Sequence, residues 1–293
     1  MANLKHGIIG ICNHNKDGSY TTQKDRLRIL LQAADQLKTL NYRQLTIHSI
    51  KGKHINALID QWNEQHKINQ LSIATIKNRM SALRWLLSKL NRSQLIPKEN
   101  QALGIARRDY KKTVNNNKSQ QLDSRSELIT DKYVQYSLKL QQAFGLRREE
   151  CIKFNPVYAD QDHYIQLKAS WTKGGRPRTI PIRNEQQRAL IDEIKQLVGN
   201  NSLIPAHKSY IQQRNHYDNQ VKQAGYNNLH GLRHSYAQQR YREITGSEPP
   251  ICGGKTSKDY TLQEKLLDHR ARLTLTKELG HGREEVTVQY LGR

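Results

Sequence analysis

The chain has 293 residues, of which only 35% are apolar, enough for two modest cores rather than one large one. Lys and Arg number 48 against 26 Asp and Glu, a formal net charge of +22, and such a field favours a polyanionic partner through counterion release. No long apolar run opens the chain, so neither a signal peptide nor a membrane span is expected, and Cys12, Cys151 and Cys252 are too scattered for a disulfide framework or a metal site. A reducing cytoplasm is the expected setting.

The charge is uneven. Residues 1–118 hold 21 basic and 7 acidic side chains, and residues 119–293 hold 27 and 19. Residues 1–20 mix Gly, Asn and His and read as a loose N-terminal arm. From Thr22 the period turns helical, with Leu27, Leu30, Leu31, Ala34 and Leu37 on one stripe. A second helix is expected over 51–66, with Ile55, Leu58, Ile59 and Trp62 inward. A third starts after Ser72, a natural cap, and carries Ile73, Ile76, Met80, Leu83, Leu87 and Leu90 at steps of three and four. Lys77 and Arg84 lie on another stripe of it. A solvated face explains them equally well, but the basic surroundings favour DNA contact.

Residues 21–111 thus form a basic helical domain, and the polar stretch 112–128 reads as a linker. A second domain covers 129–293. Tyr133, Tyr136, Leu140 and Phe144 predict a helix that stops at Gly145. YIQLKA (164–169) and RTIPI (178–182) predict short strands around a Gly-Gly-Arg-Pro turn, hence a hairpin. Helices follow near 184–197, 208–224, 230–242, 260–279 and 284–290. The fold class is mainly α with a small antiparallel β-sheet in the second domain.

Four short segments of that domain carry chemistry-bearing residues: Gly145-Leu146-Arg147-Arg148-Glu149-Glu150, Thr172-Lys173-Gly174-Gly175, His230-Gly231-Leu232-Arg233-His234, and Leu279-Gly280-His281 followed by Tyr290. Each alone has a bland explanation: a surface Arg, a solvated turn Lys, a core His, a helix C-cap, a packed terminal Tyr. Their order does not. Guanidiniums grip phosphate oxygens through paired charge-assisted hydrogen bonds and keep their proton, so two Arg from separate segments suit a phosphodiester in attack. A phenol titrates near 10 in water and needs a proton acceptor and a positive field to act as nucleophile.

In this order the sequence resembles the tyrosine recombinases, the phage-type integrases. That family shows Gly-Leu-Arg-x-x-Glu, then a Lys on a β-hairpin, then His-x-x-Arg-His, Leu-Gly-His and the nucleophilic Tyr. The resemblance covers the whole second domain; over the first it is architectural, a basic helical core-binding domain before the catalytic one. It implies a site-specific DNA recombinase, the integrase of a mobile element, working through a 3′-phosphotyrosine at Tyr290. It further implies that Arg147 and Arg233 hold the phosphate, His230 takes the phenol proton, Lys173 protonates the leaving 5′-oxygen and His281 donates to the phosphate. Glu150 supports Arg147, and His234 is a weaker supporting residue. No metal or cofactor is expected. The implied partners are double-stranded DNA attachment sites and further copies of the chain, a monomer or dimer when free and a tetramer on DNA, with room for an accessory directionality factor.

Two departures stand out. Arg233 and His281 are 48 positions apart, longer than the family usually shows, and residues 243–259 are expected to be an inserted loop. Only Leu291, Gly292 and Arg293 follow Tyr290, which puts subunit coupling through a docked tail in doubt and leaves a clipped chain or another contact open. The competing readings are a type IB topoisomerase, a non-catalytic DNA-binding protein and, last, a metal-dependent nuclease.

Overall fold

The computed structural model describes residues 3–107 and 114–293. The chain divides into two compact units, Met1–Asp109 and Tyr110–Arg293. Met1, Ala2 and the ends of the expected helical domain and linker at 108–113 lie outside the described residues.

The first unit is helical. Its elements are α1 (Leu4–His14), α2 (Tyr20–Thr39), α3 (Gly52–Lys67) and α4 (Ile73–Lys89). Ser19 and Ser72 accept from the backbone N–H of Thr22 and Thr75, so α2 and α4 each start on a side-chain cap. The stripes read from the sequence face one core around Leu30, Leu58, Trp62, Ile76 and Met80. Trp62 satisfies its buried indole N–H on Gln36 Oε1 at 2.9 Å.

The expected loose arm is instead the helix α1. Leu4 and Ile8 are one turn apart and both buried in the core. Gly7 lets the helix come close: a Cβ there would lie 2.6 Å from Ile47 Cβ. The Gly- and Asn-rich composition masked an i, i+4 apolar pair.

The second unit holds α5 (Lys132–Phe144), α6 (Arg148–Ile152), α7 (Pro156–Ala159), β1 (Tyr164–Leu167) and β2 (Arg178–Pro181). It continues with α8 (Glu185–Val198), α9 (Tyr210–Gln223), α10 (His230–Thr245), α11 (Leu262–Glu278) and α12 (Val288–Leu291). The two strands pair antiparallel with Ile165 opposite Ile180. The main core packs Phe144, Phe154, Ile165, Ile180, Ile191, Tyr236, Leu275 and Leu291 together. The fold class is therefore mainly α with a small antiparallel sheet, as the sequence predicts. Among the described residues no helix is long and apolar enough to cross a membrane.

Three expectations need correction. From residue 117 onward the expected linker is tied to the second unit: Gln120 N donates to Gly231 O, Leu122 N to Gln142, and Asp123 bonds Tyr226 and Arg125. Its polar side chains serve tertiary hydrogen bonds rather than solvation. The expected loop 243–259 is partly structured, since α10 runs on to Thr245 and a 3-10 turn at Pro250–Cys252 buries Ile251 completely. The expected last helix 284–290 is a 3-10 turn over Glu284–Thr287 leading into α12.

Gly145 ends α5 at φ 61°, and a Cβ there would meet the Tyr236 ring at 2.5 Å. Gly145→Ala is expected to destabilise the fold by more than about 1 kcal/mol, from the left-handed backbone and the clash together, read as a lower urea midpoint at unchanged m-value.

Candidate active site

The site is built where three helix ends meet. Arg147 stands just before α6, and its backbone N–H donates to Glu150 Oε2 at 2.7 Å while its guanidinium donates to Oε1 at 2.9 Å. Glu150 is fully buried, and Arg178 on β2 grips the same carboxylate with two further bonds of 2.9 and 2.6 Å. Burial pushes the Glu150 carboxyl up, but the Arg178 hydrogen bonds and charge, then those of Arg147, outweigh it and hold it at about 2. Arg178 also donates through Nε to the Glu278 carbonyl at 2.8 Å, so β2 fastens the end of α11 to α6.

Arg233 lies in the first turn of α10 and is 1% exposed. It donates to the carbonyls of Gly145 and Leu279, and its Nε reaches the Tyr290 hydroxyl at 3.4 Å. Among the described residues no carboxylate forms an ion pair with it. Burial lowers Arg233 to about 10, which leaves it a cation at neutral pH.

Around the Tyr290 phenol stand three imidazoles. The ring centroids of His234, His281 and His230 lie 4.6, 5.5 and 6.2 Å from that of Tyr290. Arg233 also donates towards His281 Nε2 at 3.5 Å. His230 keeps a solvent-facing edge, yet the protein packed behind it, then the charges of Arg233 and Arg147, lower its imidazole to about 4. Burial, then the Arg233 and Arg147 charges, lowers His281 to about 3. Both are therefore neutral at pH 7 and able to accept a proton.

Tyr290 itself is fixed from behind. Gln238 on α10 donates to its carbonyl at 3.1 Å, and Arg272 on α11 donates to the Gly292 carbonyl at 3.0 Å. The segment that bears Tyr290 is thus held within its own unit, beside a buried cation and neutral imidazoles.

Two family models match the chain: phage integrase, N-terminal, over residues 1–96, and integrase over residues 102–239. The chain belongs to the phage integrase family of tyrosine recombinases. It is an enzyme of that class, a site-specific DNA recombinase. No curated protein matches it significantly in sequence. Solved structures share its fold. The Tn1549 transposon integrase in complex with circular intermediate DNA is 13% identical, over 100% of this chain and 96% of that one, with a TM-score of 0.54. A lambda integrase dimer bound to a COC′ core site is 13% identical, over 99% and 77%, with a TM-score of 0.61. The XerH recombinase bound to its difH substrate is 16% identical, over 98% and 80%, with a TM-score of 0.54.

Of the residues singled out in the integrase sequence, Arg147, Glu150, His230, Arg233, His234, His281 and Tyr290 gather in this one region. His281 and Tyr290 lie beyond the stretch that the integrase family model matches, so their place rests on geometry. Lys173 stands apart. It is exposed in the connection between the strands, next to Gly174 and Gly175 at positive φ, and among the described residues it forms no hydrogen bond or ion pair. In the first unit, Arg84 donates to Asn100 and the Pro97 carbonyl at 2.9 and 3.0 Å, while Lys77 is half-buried.

Sequence reasoning missed Arg178, Glu278 and Gln238. Arg178 had a signal: it shares a strand face with the buried Ile180, and a cation facing inward demands a carboxylate. Glu278 accepts from Tyr236 and Arg240 at 2.7 and 3.1 Å, partners on another helix that no local pattern announces.

Arg178→Met leaves the buried Glu150 short of its main partner and is expected to cost about 3–5 kcal/mol in chemical denaturation, whereas Arg178→Met with Glu150→Met recovers much of that loss. The histidines set a second expectation. An unfolded imidazole takes a proton near 6.5, while folded His230 and His281 resist protonation until about 4 and 3. Their contribution to stability is thus complete above that unfolded value and is lost as pH falls towards the folded ones. Thermal midpoints of the DNA-free protein should decline between pH 6.5 and 5, where carboxylates barely titrate, and His281→Asn should flatten that decline.

Proposed function

We propose that this integrase cuts and rejoins DNA through a covalent 3′-phosphotyrosine on Tyr290. The observation that carries the reading is the buried, carboxylate-free Arg233 within 3.4 Å of the Tyr290 hydroxyl, among imidazoles held neutral. Arg147 and Arg233 hold the non-bridging oxygens of the scissile phosphate, where charge builds during attack. The phenol oxygen bonds to phosphorus as the bond to the 5′-oxygen breaks. The phenol proton passes to His230, whose neutral ring is free to take it. The 5′-oxygen leaves as a hydroxyl after protonation, a task that suits Lys173 if DNA draws the strand connection inward. His281 donates to the phosphate, and Glu150 keeps Arg147 in place. One phosphodiester is exchanged for another, so a 5′-hydroxyl from a second DNA reverses the step without external energy.

The substrates in this reading are double-stranded attachment sites of a mobile element. Lambda integrase assembles as a dimer on a core site and as a tetramer on a Holliday junction, and the Tn1549 integrase holds a circular intermediate, which supports integration or excision within a tetramer here. The strongly basic first unit serves as a clamp on the same DNA, with Lys77 as a phosphate contact. An accessory directionality factor would set which way the reaction runs. The free cysteines suit a reducing bacterial cytoplasm.

On a nicked suicide substrate carrying the cognate site, the wild type should form a denaturant-resistant protein–DNA adduct. Tyr290→Phe should bind the same DNA with unchanged affinity and form none. An adduct with Tyr290→Phe would disprove the choice of nucleophile, and relaxation of arbitrary plasmids by dilute protein would favour a topoisomerase.

A further inference from the structure

The segment that enters the second unit is docked on the helix that carries His230 and Arg233. Gln120 N donates to the Gly231 carbonyl at 3.0 Å. The Lys118 carbonyl packs so tightly on Gly231 that a Cβ there would lie 2.5 Å from it. One residue earlier, Asn117 Oδ1 accepts from Ser119 N at 3.0 Å and from Gln238 Nε2 at 2.9 Å. Gln238 is the residue that also donates to the Tyr290 carbonyl. The backbone on both sides of Lys118 is therefore fixed relative to the phenol.

The Lys118 side chain itself is uncommitted. It is exposed, and among the described residues it forms no hydrogen bond or ion pair. Together with Asn116, Asn228, His230, Gln289 and Tyr290 it lines a cavity of about 260 Å³. Its polar wall groups include amides and imidazoles, which bond sugar and phosphate oxygens, and no carboxylate lines it to repel them. Arg147 and Arg233 are placed for the phosphate under attack. The strand that presents this phosphate to Tyr290 must continue past it, and Lys118 lines the cavity beside Tyr290.

We propose that Lys118 is a DNA-contacting residue of strand cleavage, its ammonium holding the phosphate that adjoins the scissile one on the cleaved strand. The proposal deepens the reading of Tyr290 as nucleophile and rests on it. Lys118 differs in kind from Lys173. Its backbone is anchored to the helix of His230 and Arg233 before DNA arrives, whereas Lys173 is followed by two glycines at positive φ in the connection between the strands.

The test uses the full chain, the cognate nicked substrate and single-turnover cleavage. Lys118→Gln should slow adduct formation about tenfold and lower the salt slope of binding by about one, the signature of one lost phosphate contact, while Lys118→Arg should restore both. Substrates carrying one methylphosphonate at each phosphate flanking the scissile one then locate the contact. At the contacted position the wild type should slow to the rate of Lys118→Gln, and the variant should slow no further. A variant as fast as the wild type, or independent losses at every position, overturns the proposal. Rescue of the variant by a 5′-bridging sulfur leaving group also overturns it, because that would make Lys118 the proton donor. Adduct formation by the wild type and its absence in Tyr290→Phe keep these outcomes separate from failure of the nucleophile assignment.

Discussion

The site depends on burying a guanidinium without giving it a carboxylate. Taking a cation out of water is costly, and the ordinary remedy, an ion pair, would neutralise the charge that a phosphate needs. Arg233 is held instead by two carbonyl oxygens, those of Gly145 and Leu279. Both are C-terminal caps, of α5 and α11, where helix dipoles leave partial negative charge and unused acceptors. Dipoles orient and solvate the cation yet leave its full charge available to a substrate. The Gly of Gly-Leu-Arg and the Gly of Leu-Gly-His are explained together: each takes positive φ where a helix must end beside Arg233.

The second guanidinium is handled differently. Arg147 is partly exposed and shares the buried Glu150 with Arg178. One carboxylate against two guanidiniums leaves net positive charge, and the buried member of the pair, Arg178, takes most of the neutralisation. The surplus therefore falls on Arg147, towards solvent, where DNA would lie. Burial first, and then the charges of Arg233 and Arg147, keep His230 and His281 neutral. The imidazoles beside Tyr290 are thus left able to accept a proton.

The support of Tyr290 is distributed. Gln238 joins the Tyr290 carbonyl to Asn117 at the entry of the second unit, and its own Oε1 accepts from Cys252 at 3.3 Å. The inserted stretch and the entry segment therefore both bear on α12, although neither carries a residue of the family pattern.

The sequence by itself determined the helical stripes of the first unit, the stop of α5 at Gly145, the strand pair and the ordered set of Arg, His and Tyr, because each is written in local spacing. It could not reveal α1 behind its glycines, nor that 117–128 is a strap rather than a linker, since polar side chains look alike whether they meet water or protein. Only the tertiary structure decided which charges are paired. Arg147, Arg178 and Arg233 are the same residue type, and only the meeting of α6, β2 and the ends of α5 and α11 gives two of them a carboxylate and the third none. Burial and partner choice are long-range properties, fixed by which elements pack together and not by the order of residues within any one of them.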